Sequence, residues 1–246
     1  MARASLKAIA TASIYRGMGA LIVAGIPACG ASTELQPPRV SGSPGARPAV
    51  PATLESFESA AEDIGEAARA KDWSKAGLLL QAGRVSWSNI RSRVQADGAP
   101  SGSVSLIDAS MHRLAVDIVS NDAKAAESDA NTVGGAIAEL FALYSSAVPV
   151  DVLRLDVAFR RAQIGAEYED WPEVAGGLSD VRTVWLRLRS DPLARIRTAR
   201  AASTTERMED VIRRLAGALE QRAARAAETS AAEGLQLVDD LERLFR

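Results

Sequence analysis

Asp72-Trp73-Ser74-Lys75-Ala76-Gly77-Leu78-Leu79-Leu80, running on to Arg84-Val85-Ser86-Trp87-Ser88-Asn89-Ile90-Arg91-Ser92, returns 98 residues later. The second copy is Asp170-Trp171-Pro172 to Trp185-Leu186-Arg187-Leu188-Arg189-Ser190. All four tryptophans of the chain lie in these copies, each pair fourteen residues apart and each preceded by Asp. Arg84, Arg91 and Ser92 find identical partners in Arg182, Arg189 and Ser190. Self-similarity at a fixed spacing marks an internal duplication. Fourteen residues are close to four helical turns, so Trp73 and Trp87 fall on one stripe with Ala76, Gly77 and Leu80. The matching stripe holds Trp171, Val174, Ala175, Leu178 and Trp185. Asp72 and Asp170 stand where an N-cap belongs, with a carboxylate able to accept the free amides of the first turn. Pro172 sits in the first turn, where its missing N–H costs nothing.

Outward from this stretch, helical periodicity continues on both sides. Leu54, Phe57, Ala61, Ile64 and Ala68 predict a helix over 53–70, followed by one from Trp73 to about Gln95. The Gly- and Pro-containing segment 96–102 reads as a loop. Ile107, Met111, Leu114 and Ile118 carry a third helix over 103–120, and a turn at 120–122 leads to a fourth that runs to about Ser145. Past Pro149 the order repeats: a helix to about Glu169, one from Trp171 to before Asp191-Pro192, one through Met208 and Leu215, and one ending in Leu241, Leu244 and Phe245. Arg113-Leu114-Ala115 matches Arg214-Leu215-Ala216 at 101, and Leu140-Phe141 matches Leu244-Phe245 at 104, so the spacing widens along the second copy. No strand pattern competes. The expected fold is all-α: tandem four-helix units at 53–148 and 149–246. These would form two antiparallel bundles, with a short α-solenoid of helix hairpins as the alternative.

The 246 residues are 47% hydrophobic but only 4% aromatic, which favours helix over strand. Net charge is −2, and becomes −5 once Arg3, Lys7 and Arg16 of the first 28 residues are set aside. Such a balance offers no electrostatic footprint for nucleic acid. Residues 1–28 have the form of an export signal: a basic segment ending at Arg16, then an uncharged run of a length suited to a signal-peptide core and too short to span a bilayer comfortably. Residues 29–52 hold half of the ten prolines, mixed with Gly, Ser and Thr, and read as a flexible tether.

Ile26-Pro27-Ala28-Cys29 resembles the lipobox of bacterial lipoproteins, with an aliphatic residue at −3 and a small one at −1 before the cysteine that is lipidated. The resemblance implies acylation of Cys29 and a membrane anchor on the cell envelope. The alternative is ordinary signal cleavage near Ala28. Cys29 is the only cysteine, so an intramolecular disulfide is excluded. The order of Trp73, Trp87, Trp171 and Trp185 along the helices is similar to helical families of exported bacterial proteins with an Asp-Trp…Trp hairpin. Those families imply no catalytic residues.

Chemistry-bearing patterns are sparse. His112 is the only histidine, so a zinc site of the usual type and a Glu-x-x-His di-iron site are both excluded, and no cofactor is expected. The Gly pairs at 134–135 and 176–177 lack the context of a phosphate loop and suit close helix packing. The strongest polar signal is the repeated arginines: Arg84 and Arg91 flank Trp87, as Arg182 and Arg189 flank Trp185. An apolar stripe at helical spacing reads first as buried core, with the arginines in ion pairs over the rings. The sharper reading makes Trp87, Arg84, Arg91, Trp185, Arg182 and Arg189 a pair of surfaces for an anionic ligand or a partner. The expected function is a non-enzymatic, lipid-anchored binding or scaffold protein of the envelope, with an envelope protein as a possible partner. The alternative is a solute- or ligand-sensing module built on a Trp- and Arg-lined cleft.

Overall fold

The structure is a computed structural model that describes residues 47–190, 192–196 and 198–246. Among the described residues it is all-helical, apart from one isolated backbone bridge between Ala49 and Ser145. The helices are α1 (Ala52–Arg69), α2 (Trp73–Ala96), α3 (Ser101–Ser120), α4 (Ala123–Phe141), α5 (Val150–Glu167), α6 (Trp171–Ser190), α7 (Ala199–Glu220) and α8 (Ala224–Phe245). A single 3-10 turn, Leu193–Arg195, lies between α6 and α7. None of these helices is long and apolar enough to cross a membrane.

Within the first copy α1 packs on α2 and α4, and α3 packs on α4 and α2, closing a four-helix ring. The second copy repeats this with α5, α6, α8 and α7. Each ring encloses its own apolar core. One is built around Leu54, Phe57, Trp87, Ile107 and Leu140, the other around Leu155, Phe159, Trp185, Met208 and Leu241. Two closed cores distinguish a pair of bundles from a solenoid, in which each hairpin would pack only on its neighbours.

Short turns set the antiparallel order. Lys71 and Glu169 both adopt a left-handed backbone, φ 56° and 54°, and lie 98 residues apart. Asn121 and Arg222, φ 60° and 49°, are the corresponding pair at 101. Asp72 caps α2 by accepting from the Lys75 amide at 3.1 Å, and Asp122 caps α4 by accepting from the Ala125 amide at 3.0 Å.

Three local expectations are corrected. Helix α4 stops at Phe141, not near Ser145. Tyr144 is in phase with the helix and buried, but it lies beyond the helix end and donates its hydroxyl to Asp97 at 2.7 Å. The widening from 101 to 104 does not occur. Ala126, Ala130, Ile137 and Leu140 match the equally buried Ala227, Ala231, Val238 and Leu241, all at 101, and α8 simply runs on for another turn. The end of the Pro-rich segment is also held in place: the Ser145 amide donates to Pro48 O at 2.7 Å, and Val50 packs on the first core.

The copies join through α4 and α5. Gly134 and Gly135 lie over Val157, where an added Cβ would already be in contact, at 3.7 and 3.4 Å. The equivalent positions on α8 are Leu235 and Gln236, both with long side chains. Accordingly α4 packs closely on α5, while α8 and α1 are not a packed pair. The joint is therefore asymmetric: the last helix of the first repeat packs on the first helix of the second, and the reverse pair does not.

Candidate functional site

Trp87 and Trp185 are inside the two cores, 6% and 4% exposed, while Trp73 and Trp171 are half-buried at the helix starts. Trp87 stacks on Phe57 with ring centroids 5.4 Å apart, and its Nε1 donates to Asp108 Oδ1 at 2.7 Å. Arg91 holds the other oxygen of Asp108 at 2.8 Å. Burial pushes the Asp108 carboxyl up, but the hydrogen bonds from Arg91 and Trp87 outweigh it and hold its pKa below the usual value. In the second repeat Glu209 takes the place of Asp108 and accepts from Arg189. Trp185 Nε1 is left buried with no partner. Arg84 reaches the Met111 carbonyl at 3.4 Å, and Arg182 is exposed. The six residues singled out in the sequence thus form two separate arrangements, one in each repeat, with both rings turned into the core. Cys29 lies outside the described residues.

A recess lies elsewhere, where the repeats meet, with walls from α1, α4 and α5. Positions 98 apart face each other across it. Glu62 meets Arg160 at 3.6 Å, and Arg69 Nε donates to Glu167 at 2.7 Å. Equivalent positions of α1 and α5 therefore carry opposite charges and bridge the joint at two levels, so the two helices run parallel. Gly65 and Gln163 are a third such pair, and both line the recess.

Glu127, on α4, is 5% exposed and accepts from the Tyr168 hydroxyl at 2.9 Å. Arg69 Nε stands 3.7 Å from it. Burial raises the Glu127 pKa to about 7; the nearby Glu167 adds to this, and Tyr168 and Arg69 oppose it. Arg160, a quarter exposed, donates to Asp156 at 2.6 Å. Its pKa is raised, because the attraction of Asp156, Glu62 and Glu66 exceeds the cost of burying it. A further link between the repeats is Lys124 Nζ on Asp170 at 2.8 Å, which together with the cap on Glu173 lowers the Asp170 pKa. The same carboxylate thus starts α6 and ties it to α4.

A carboxylate pair also emerges that sequence spacing did not suggest. Asp117 on α3 and Asp129 on α4 lie together beside Arg113, which is bidentate to Asp129 at 2.7 and 3.0 Å, while Asp117 Oδ2 is buried without a hydrogen-bond partner. Burial, then Asp129, raises the Asp117 pKa. Their second-copy counterparts are Ala218 and Ser230, so the pair belongs to one repeat alone. His112 is exposed, one position from Arg113. Among the described residues no three His, Cys, Asp or Glu side chains converge as a metal site would require.

Comparison with protein-family models, with curated proteins and with solved structures finds no match for this chain.

Proposed function

We propose that the protein is a non-catalytic binding protein of the bacterial cell envelope, anchored through a lipid on Cys29. In this reading its binding element is the recess between the two repeats. One observation carries the binding part: two side-chain amides line the recess, Gln163, 8% exposed and making no side-chain hydrogen bond among the described residues, and Asn131, whose Oδ1 is buried without a partner. Buried polar groups are ordinarily paired, so an unpaired amide facing a recess supports a partner from outside the chain. The envelope part rests on the lipobox-like Ile26-Pro27-Ala28-Cys29 and the Pro-rich segment after it. Scaffolding is the second reading. It is favoured by five exposed large apolar side chains on α2 and α3 of the first repeat: Leu78, Val85, Leu106, Val116 and Val119.

Two measurements test the proposal. Wild type should sediment with membranes and Cys29→Ser should not; equal solubility after export would overturn the anchor. Thermal unfolding should then be followed against a panel of small cations, anions and neutral solutes. A ligand at a hundred times its dissociation constant stabilises the folded state by about 2.7 kcal/mol. A flat response throughout would overturn solute binding in favour of scaffolding.

A further inference from the structure

The two repeats share a fold but not a surface. On α2 the stripe opposite the core holds Ser74, Leu78, Gln81, Val85, Ser88 and Ser92; on α3 it holds Ser105, Ala109, His112, Val116 and Val119. All are exposed, Leu78 at 66% and Val119 at 82%. None is Asp, Glu, Lys or Arg, although these make up 24% of the chain. The second repeat carries charge at the same places. Ser105, Ala109, His112 and Val119 correspond to Glu206, Asp210, Arg213 and Glu220 on α7, and Leu78 and Val85 to Gly176 and Thr183 on α6. The bundle therefore forms without aliphatic side chains at these positions, and their exposure in the first repeat marks a surface that another surface covers. The two stripes are also adjacent. Trp87 bonds Asp108 and Arg84 reaches the Met111 carbonyl, so a step along α2 is matched by an equal step the other way along α3. Six residues further, Leu78 is level with Asp117, beside Val116 and Val119.

The lack of charge selects the occupant. A charged partner would lose its water on this face and find no counter-charge. A lipid surface is met by helix faces that carry Trp or Phe, and neither stripe holds an aromatic residue. What fits is a second uncharged face of the same length, and a second molecule of this chain has one. A two-fold axis along the groove between α2 and α3 sets each α2 against the α3 of the other molecule. Every neighbour in that layer is antiparallel, as in an ordinary four-helix bundle. Leu78 of one molecule then meets Val116 and Val119 of the other. The size also suffices. Helix α3 has 20 residues, so the face is about 30 Å long, and two helices with axes about 8–10 Å apart are roughly 18–20 Å across. The footprint is roughly 550 Å² on each molecule, or about 1,100 Å² in all, just above the roughly 1,000 Å² that a specific interface requires.

We infer that the outer face of α2 and α3 is a self-association surface, on which two molecules of the chain pair about a two-fold axis. Neither the recess nor the anchor enters into this; the side chains that favour scaffolding receive one occupant. Sedimentation velocity is measured on the full chain carrying Cys29→Ser, which removes both the acylation site and the one thiol able to link two molecules. The small interface calls for a series from about 1 to about 100 μM. The expected result is a monomer–dimer equilibrium with nothing larger, because a two-fold pair is closed. The triple variant Ala109→Asp, His112→Arg and Val119→Glu gives α3 the residues that α7 carries at the same places, and should weaken the dimer tenfold or more. Leu78→Gln with Val85→Thr, on α2, should do so independently and serves if circular dichroism shows the first variant unfolded. A dimer that neither variant weakens would overturn the location. Growth beyond the dimer with concentration would overturn the two-fold pairing. A chain that stays monomeric throughout would overturn the inference itself; if it then sediments with phosphatidylcholine vesicles and the α3 variant does not, the face belongs to a lipid surface.

Discussion

A single methylene separates the two buried tryptophans in their surroundings. Trp87 Nε1 has the carboxylate of Asp108 within reach, whereas the equivalent Glu209 turns to Arg189 and Trp185 Nε1 stays unpaired. Net stabilisation by one hydrogen bond is about 0.5–1.5 kcal/mol, rising to about 1.5–3 when one partner is charged, and an orphaned buried donor costs about 1–3 kcal/mol. Phenylalanine in place of either tryptophan removes similar ring area, but in the first repeat it also removes a made bond and in the second an unmade one. Trp87→Phe should therefore cost about 1–3 kcal/mol more than Trp185→Phe. Urea unfolding of the two single variants decides this, and a Trp185→Phe loss as large as that of Trp87→Phe would contradict the assignment. The sequence showed that both tryptophans were anchors, because helical spacing reports which face is buried. It could not show their unequal pairing, since Asp108 and Glu209 come from other helices, at an offset of 101 rather than 98.

At the scale of elements, the helices were legible because apolar residues recur with the helical period and because Asp72 and Asp170 cap where caps are needed. The end of α4 was not, because Tyr144 keeps the phase of the helix after the helix has stopped. Packing partners were legible only after the offsets were known. Phe159 on α5 corresponds to Ala61 on α1, and Gly234 on α8 corresponds to Val133 on α4. The first core thus holds a small and a medium side chain where the second holds a large one and none. A Cβ on Gly234 would fall against the Phe159 ring, 2.7 Å from Cζ. Gly234→Ala should destabilise the protein by about 1–3 kcal/mol through overpacking. Phe159→Ala alone should cost about 3–5 kcal/mol through the cavity it leaves. The double variant Phe159→Ala with Gly234→Val copies the first repeat and should be more stable than Phe159→Ala alone. Chemical denaturation of all three supplies the test, and strictly additive losses would show that the two positions are not matched.

For the whole molecule the decisive region is the joint, which the sequence left unread. Its pairs, Glu62 with Arg160 and Arg69 with Glu167, lie on matching positions of two repeats, so no periodicity within a helix announces them. Glu127 sits at this joint between Tyr168 and Arg69, and burial raises its pKa to about 7 from 4.5. In the unfolded chain the carboxyl ionises near its ordinary value. The folded protein therefore binds more protons than the unfolded one between about pH 4.5 and 7. Stability contributed by protonated Glu127 is fully present below that window, declines as pH rises through it, and is lost above pH 7. The shift corresponds to about 3 kcal/mol. Glu127→Gln keeps an acceptor for the Tyr168 hydroxyl and has no proton to lose, so its stability relative to wild type should improve by about 2–3 kcal/mol between pH 5 and pH 8. Unfolding in urea at the two pH values measures the difference directly. A gap between wild type and Glu127→Gln that does not change with pH would mean that Glu127 is already ionised in the folded joint, held there by Arg69.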